Sequence, residues 1–180
     1  ESPQDLVMKN RMQRRMGQLT GTCFQRCAGL DTISVLHSIT FDIDKTHGTG
    51  YHQRYLAFLR EAQRNNIIIG AGMTDPKGDR GKRPSEQEDP DLFMHVTRRT
   101  AAGLYVTGAK AHTGGLNSHW ICVMPTMNML ERDRDYAVVG LVPADARGIS
   151  YIYGRQSCDT RALEPGDIDA GNAQYGGQEV

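Results

Sequence analysis

The stretch Ile67-Ile68-Ile69-Gly70-Ala71-Gly72-Met73-Thr74-Asp75-Pro76-Lys77-Gly78-Asp79-Arg80 marks a change of texture in the chain. Before it, apolar residues recur at helical spacing. After it, glycine, β-branched residues and short apolar runs take over. The apolar run 67–69 reads as a strand. Residues 73–80 then pack two carboxylates, two cations, a proline and a glycine into one loop. Pro76 fixes one φ and gives up its N–H, and Gly78 can take φ > 0. Such a loop has a defined shape and turns many hydrogen-bonding groups outward, which suits a binding site mounted on a sheet. The same composition also suits an ordinary polar turn.

Upstream, Ser2-Pro3-Gln4-Asp5 is a helix start: Ser2 caps, Pro3 suits the first turn, and Asp5 closes a capping box. Leu6, Met8, Met12, Met16 and Leu19 follow at roughly helical spacing, and Arg11, Arg14 and Arg15 read as a solvated face. A second helix is predicted over 22–44, with Ile33, Leu36 and Ile39 or Thr40 as its apolar stripe, broken by Gly48-Thr49-Gly50. A third is predicted over 51–64, with Tyr55, Phe58, Leu59 and Ala62 on one side. Downstream, 92–97 and 104–108 read as a hairpin around Thr100-Ala101-Ala102-Gly103. Further strands are predicted over 120–124, 136–142 and 149–153. The outline is α+β: a helical part over 1–66 and a β-rich part over 67–180, with strands enough for a small barrel or sandwich.

Whole-chain properties narrow the function class. The 180 residues carry no formal net charge, so nothing draws the chain to nucleic acid or to a membrane surface. No apolar run approaches the ~20 residues needed to span a bilayer. The four cysteines form no dense disulfide framework, and with no secretory signal visible the expected compartment is the cytoplasm. The start at Glu1 and the end at Val180 read as cuts in a longer protein.

Five clusters could carry chemistry. Cys23-Phe24-Gln25-Arg26-Cys27 places two thiols at i and i+4, one face of a helix. By spacing alone they read first as two buried thiols, and they also suit one metal or two corners of an iron–sulfur cluster. The loop 73–80 is the second cluster. Gly108-Ala109-Lys110-Ala111-His112-Thr113-Gly114-Gly115 ends a strand in small residues, a cation, an imidazole and a hydroxyl, a place where backbone could approach a heterocycle or simply turn. Gly154-Arg155-Gln156-Ser157-Cys158-Asp159-Thr160-Arg161 is a polar cluster whose arginines suit acids or a phosphate. Gly176-Gly177-Gln178-Glu179 sets a carboxylate beside two glycines, as an acid/base group or an exposed glutamate. Gly70-Ala71-Gly72 lacks the third glycine of a dinucleotide fingerprint, and neither a phosphate-binding GxxxxGK[ST] loop nor an HExxH pattern occurs.

Taken in order, CFQRC, MTDPKGDR, GAKAHTG, IYGRQSCDTR and GGQE resemble the 4-hydroxybutyryl-CoA dehydratases. These belong to the flavoprotein superfamily of 4-hydroxyphenylacetate 3-monooxygenase, with an acyl-CoA-dehydrogenase-like fold. The likeness runs from about Met12 to the last residue. It implies the end of a helical N-terminal domain, then a middle β-barrel-like domain, with the family's C-terminal helical bundle absent. It implies FAD held by Met73, Thr74, Asp75, Pro76, Lys77, Gly78, Asp79 and Arg80, and by Ala111, His112 and Thr113. Cys23 and Cys27 match two ligands of a [4Fe–4S] cluster whose histidine and remaining cysteine lie in the missing bundle. Glu179 matches a glutamate near the substrate. The implied reaction is loss of water from 4-hydroxybutyryl-CoA to give crotonyl-CoA by a flavin radical route, with the cluster as Lewis acid and vinylacetyl-CoA isomerisation as a side activity. The implied assembly is a homotetramer, or a protein whose missing segments sit on other chains. Two rivals remain: a flavin-dependent aromatic hydroxylase of the same superfamily, in which the cysteines ligate nothing, and a non-catalytic flavin- or partner-binding piece.

Overall fold

A computed structural model describes residues 2–21, 27–111 and 118–152. Of Cys27 it describes the backbone alone. The chain divides into two compact units, Glu1–Gly70 and Ala71–Val180.

The first unit holds three helices: α1 (Pro3–Thr20), α2 (Cys27–His47) and α3 (Tyr51–Arg64). α1 starts as its sequence demands. The Asp5 amide donates to Ser2 Oγ at 3.3 Å and the Ser2 amide donates to Asp5 Oδ2 at 2.8 Å, closing the capping box. Gly21 ends α1 at φ 68°. The apolar spacing of α1 does not translate into burial, because no residue of the helix is buried and Leu6, Met8 and Leu19 stand more than half exposed. Lys9 ties α1 to α2 by donating to the Leu30 carbonyl at 2.7 Å and to Ser34 Oγ.

The core of this unit comes from α2 and α3. Leu36, Tyr55, Leu59 and Ala62 are buried, and the Tyr55 hydroxyl donates to the Ile33 carbonyl at 2.5 Å. Ile39 is exposed, so the α2 stripe is narrower than its spacing suggests. Gly29 is needed for close approach: a Cβ there would lie 2.6 Å from the Ile69 carbonyl oxygen.

The Gly48-Thr49-Gly50 break forces a sharp reversal, and Asp44 spans it. Its carboxylate accepts from the amides of Tyr51 and His52, both at 2.8 Å, and from the Thr49 hydroxyl at 2.5 Å. It thereby serves α3 as a cap borrowed from α2. Burial alone would push this carboxyl up. The donations from Thr49, His52 and Tyr51 outweigh that and hold it below its ordinary value. A depressed carboxylate stabilises the fold above the ordinary range near pH 4 and loses that contribution as pH falls through its folded value. Asp44→Ala is therefore expected to lower the thermal midpoint at pH 7, with the gap to the parent closing below pH 4, as followed by circular dichroism.

The second unit is built on strands. β1 (Ile69–Gly72), whose second half belongs to this unit, β4 (Trp120–Val123) and β5 (Gly140–Pro143) form a three-stranded sheet in the order β1-β4-β5. β4 and β5 run antiparallel, with Cys122 opposite Leu141. Ile121 and Cys122 are buried there, as is Phe93 elsewhere in the unit. β2 (His95–Thr100) and β3 (Gly103–Thr107) form the predicted hairpin, with Thr100 opposite Gly103 and a register shift between Val96 and Arg98. Gly108, at φ 128°, leaves the hairpin where a Cβ would lie 2.4 Å from Met94 Cα.

Two strand predictions need correction. The segment 136–142 does not begin as a strand: Glu131–Tyr136 is a 3-10 turn, and pairing starts only at Gly140. The Val138 amide donates to the Tyr136 carbonyl at 2.8 Å, which curls the backbone. The predicted strand 149–153 is irregular through Ile152, and Tyr153 lies outside the described residues. Gly148 takes φ 96°, the Ile149 amide donates back to Ala146 at 3.1 Å, and the Tyr151 hydroxyl donates to the Ala144 carbonyl at 2.7 Å. A local turn has taken the Ile149 amide, and the Tyr151 side chain is tied back to the same turn. No helix among the described residues is long and apolar enough to cross a membrane.

Candidate functional site

The loop 73–80 leaves β1 and meets the segment that leaves β3. The Ala111 amide donates to the Thr74 carbonyl at 2.8 Å, an isolated antiparallel bridge between Thr74 and Ala111. Two stretches 37 positions apart, both picked from the sequence as ligand contacts, are thus fastened together by backbone.

Side chains lock the junction. Asp75 and Lys110 form an ion pair with side chains 6% and 8% exposed. Lys110 Nζ also donates to the Met124 carbonyl at 2.7 Å and to the Met73 carbonyl at 3.4 Å, so its three protons meet three acceptors. The second Asp75 oxygen accepts from the Thr126 amide at 3.0 Å and from its hydroxyl at 2.9 Å. A buried ion pair survives when hydrogen bonds satisfy what the pair leaves over, and this one is so satisfied. Asp75 is therefore turned inward, holding three chain segments together, while Met73, Thr74, Lys77, Gly78, Asp79 and Arg80 are exposed along the loop and Pro76 is half-buried.

Beyond the loop, Arg83 and Ser85 close on a second buried carboxylate. Asp133 is fully buried. Arg83 donates to its Oδ2 through Nε at 3.0 Å and Nη2 at 2.8 Å, the Ser85 hydroxyl to its Oδ1 at 2.6 Å, and the Leu130 amide to Oδ2 at 3.2 Å. Burial alone would raise this carboxyl. The donors from Ser85, Arg83 and Leu130 outweigh it and hold the group well below the usual carboxylate range.

The donor set suits a phosphate-bearing heterocyclic cofactor. Lys77 and Arg80 offer exposed positive charge, Thr74 a hydroxyl, and Gly78, at φ 49°, a backbone without Cβ. His112 and Thr113, which follow Ala111 in the chain, lie outside the described residues. So do Cys23, Glu179, 154–161 and 176–179. Cys27 is the first residue of α2, in the other unit. Two thiols four residues apart fit two corners of a four-iron cluster by donor chemistry and leave two corners for other ligands. Cys122, completely buried in β4, behaves as a core residue.

The sequence profile of the family described as 4-hydroxyphenylacetate 3-hydroxylase N terminal matches residues 1–180, the whole chain. The chain belongs to that family. Within it, the chain is 52% identical over 182 aligned positions to the 4-hydroxybutyryl-CoA dehydratase/vinylacetyl-CoA-Δ-isomerase of Clostridium aminobutyricum, covering 100% of this chain and 37% of that protein. A solved structure of the oxygen-tolerant archaeal 4-hydroxybutyryl-CoA dehydratase of N. maritimus superposes with a TM-score of 0.84 at 60% identity, covering 99% of this chain and 36% of that one. The (3S)-3-amino-3-(3-chloro-4-hydroxyphenyl)propanoyl-[peptidyl-carrier protein SgcC2] monooxygenase of Streptomyces globisporus is 34% identical over 95 residues, covering 53% of this chain and 18% of that protein. The chain spans little more than a third of the length of its dehydratase relatives. It shares their helical N-terminal region followed by sheets.

Lys110 and Thr126 are the site residues that sequence reading passed over as anchors. Lys110 stood in view inside the Gly108–Gly115 cluster, but nothing in the spacing ties it to Asp75.

Proposed function

We propose that this chain is part of an FAD- and [4Fe–4S]-dependent 4-hydroxybutyryl-CoA dehydratase with vinylacetyl-CoA isomerase activity. One observation carries the reading of the reaction: 52% identity to a 4-hydroxybutyryl-CoA dehydratase/vinylacetyl-CoA-Δ-isomerase over the full length of this chain. The aromatic hydroxylase reading has weaker support, since the monooxygenase relative matches only half of the chain, at 34%.

In this reading residues 1–66 belong to the helical N-terminal domain and 67–180 to a middle β domain of barrel-like form. The loop 73–80 cradles FAD. Lys77 and Arg80 face its phosphates, Thr74 hydrogen-bonds it, and Ala111, His112 and Thr113 complete the contact from the neighbouring segment. The buried Asp75–Lys110 pair, its remaining hydrogen bonds filled by the exposed Thr126 and by backbone carbonyls, fixes the loop against Ala111 before the cofactor arrives, so little ordering of 73–80 is left to binding. Cys23 and Cys27 supply two thiolates to the cluster, and its other two ligands come from the remainder of the protein. When bound, the flavin supplies one-electron chemistry and the cluster a Lewis-acidic iron. Glu179 holds or moves a proton beside the acyl-CoA thioester. The protein works as a cytoplasmic homotetramer.

The test is turnover by the full-length protein prepared without oxygen. Formation of crotonyl-CoA from 4-hydroxybutyryl-CoA is expected. Hydroxylation of a phenol that depends on oxygen and reduced flavin, with no crotonyl-CoA formed, would overturn the reading.

A further inference from the structure

The Asp75–Lys110 lock holds only the near end of the loop. At the far end, where Asp79 also closes a local turn with the Gly81 and Lys82 amides, a more distant side chain that sequence reading gave no role reaches in. Gln87 Oε1 accepts from the Asp79 amide at 2.9 Å, and Gln87 Nε2 donates to the Asp79 carbonyl at 2.9 Å and to the Lys82 carbonyl at 3.2 Å. The carboxamide thus pairs with both backbone groups of Asp79, as a neighbouring strand would. Its orientation is fixed by these partners, because the reversed amide would set a donor against the Asp79 N–H and an acceptor against two carbonyls. Gly78 is matched to this clamp. At φ 49°, a Cβ there would lie 2.6 Å from Gln87 Oε1 and 2.6 Å from Leu92 Cδ2. The glycine leaves room for Gln87 to reach the loop. Gln87 is in turn seated at the end of the 3-10 turn Pro84–Glu86, which contains Ser85, a donor to buried Asp133.

We propose that Gln87 is a positioning residue for the cofactor loop, holding Gly78-Asp79 and with them Arg80 in the shape that receives flavin phosphate. This rests on the flavin reading of 73–80. Without the clamp, the Asp79 amide and the Lys82 carbonyl lose this partner and the Asp79 carbonyl keeps only the Lys82 amide at 3.1 Å, so the loop samples other shapes and binding must then supply the ordering. In the full-length protein, Gln87→Met removes the donors and the acceptor at similar length without adding charge. Gln87→Glu keeps the acceptor and can donate only when protonated.

The experiment measures FAD affinity by fluorescence titration of the flavin-free protein, together with hydrogen exchange of segment 76–83. Gln87→Met is expected to bind FAD about tenfold more weakly, with 76–83 exchanging faster and the urea midpoint near that of the parent. Gly78→Ala, which displaces Gln87, should reproduce both effects. Gln87→Glu should recover affinity as pH falls toward 5, a pH dependence the parent lacks. Parent-like affinity in both Gln87→Met and Gly78→Ala, even with faster exchange, would leave Gln87 a turn residue and overturn this inference while the flavin reading stood. A parent protein that binds no FAD would overturn the flavin reading itself, and this inference with it.

Discussion

Lys110→Met in the full-length protein is expected to abolish flavin retention through purification. The substitution strips the Asp75 carboxylate of the one cation it pairs with among the described residues, leaving it buried with the two Thr126 donors. Removing one partner of a buried pair typically costs about 3–5 kcal/mol, because the other charge stays desolvated. The structure can avoid that cost by swinging Asp75 into water, and the loop 73–80 then comes away from Ala111 and Thr126. Asp75→Asn/Lys110→Met should do better than Lys110→Met alone. The neutral amide can still accept from Thr126, and no buried charge is stranded. A double-mutant cycle on flavin content and urea midpoint would show coupling well above the few tenths of a kcal/mol expected for independent sites. Additive losses would mean that the pair does not fix the loop.

Asp133→Ala is expected to destabilise the fold by about 3–5 kcal/mol, on the order of 10 °C in midpoint. The loss would orphan two guanidinium donors of Arg83, the Ser85 hydroxyl and the Leu130 amide around a fully buried position. Asp133→Asn should recover little, since its NH2 group would oppose the donors of Arg83 or of Ser85. The pH dependence follows from the depressed carboxyl. Its stabilisation is fully present above the unfolded value near 4 and is lost as pH falls through the lower folded value. The gap in urea midpoint between parent and Asp133→Asn should therefore be constant from pH 5 to 8 and narrow below pH 4. A gap that widened in acid would contradict the network as described.

Elements that carry their own punctuation were legible in the sequence. Ser2, Pro3 and Asp5 announce α1, the glycines at 48 and 50 end α2, and Thr100-Ala101-Ala102-Gly103 closes a hairpin at the place it implies. Apolar runs without punctuation misled, as at 149–152, where the turn at Gly148 takes the Ile149 amide and the Tyr151 hydroxyl ties back to Ala144. The loop 73–80 was legible as a shaped segment, and the family resemblance implied it and Ala111 only as two separate flavin contacts. The anchoring was not legible. Asp75 finds Lys110 across 35 positions and Thr126 across 51, and no local period records such a pairing. Asp133 was hidden differently, inside Glu131-Arg132-Asp133-Arg134-Asp135, a run whose charges suggest a solvated surface. One of the five turns inward because Arg83 and Ser85, about fifty positions upstream, supply its donors.

The most direct measurement is the iron, acid-labile sulfide and FAD content of the full-length protein purified without oxygen, beside Cys23→Ala and Cys27→Ala. Roughly four irons and one flavin per chain are expected in the parent, with iron and sulfide lost in both variants. Flavin with no iron in the parent, or an iron content unchanged by either substitution, would contradict a cluster held by these cysteines and with it the dehydratase reading.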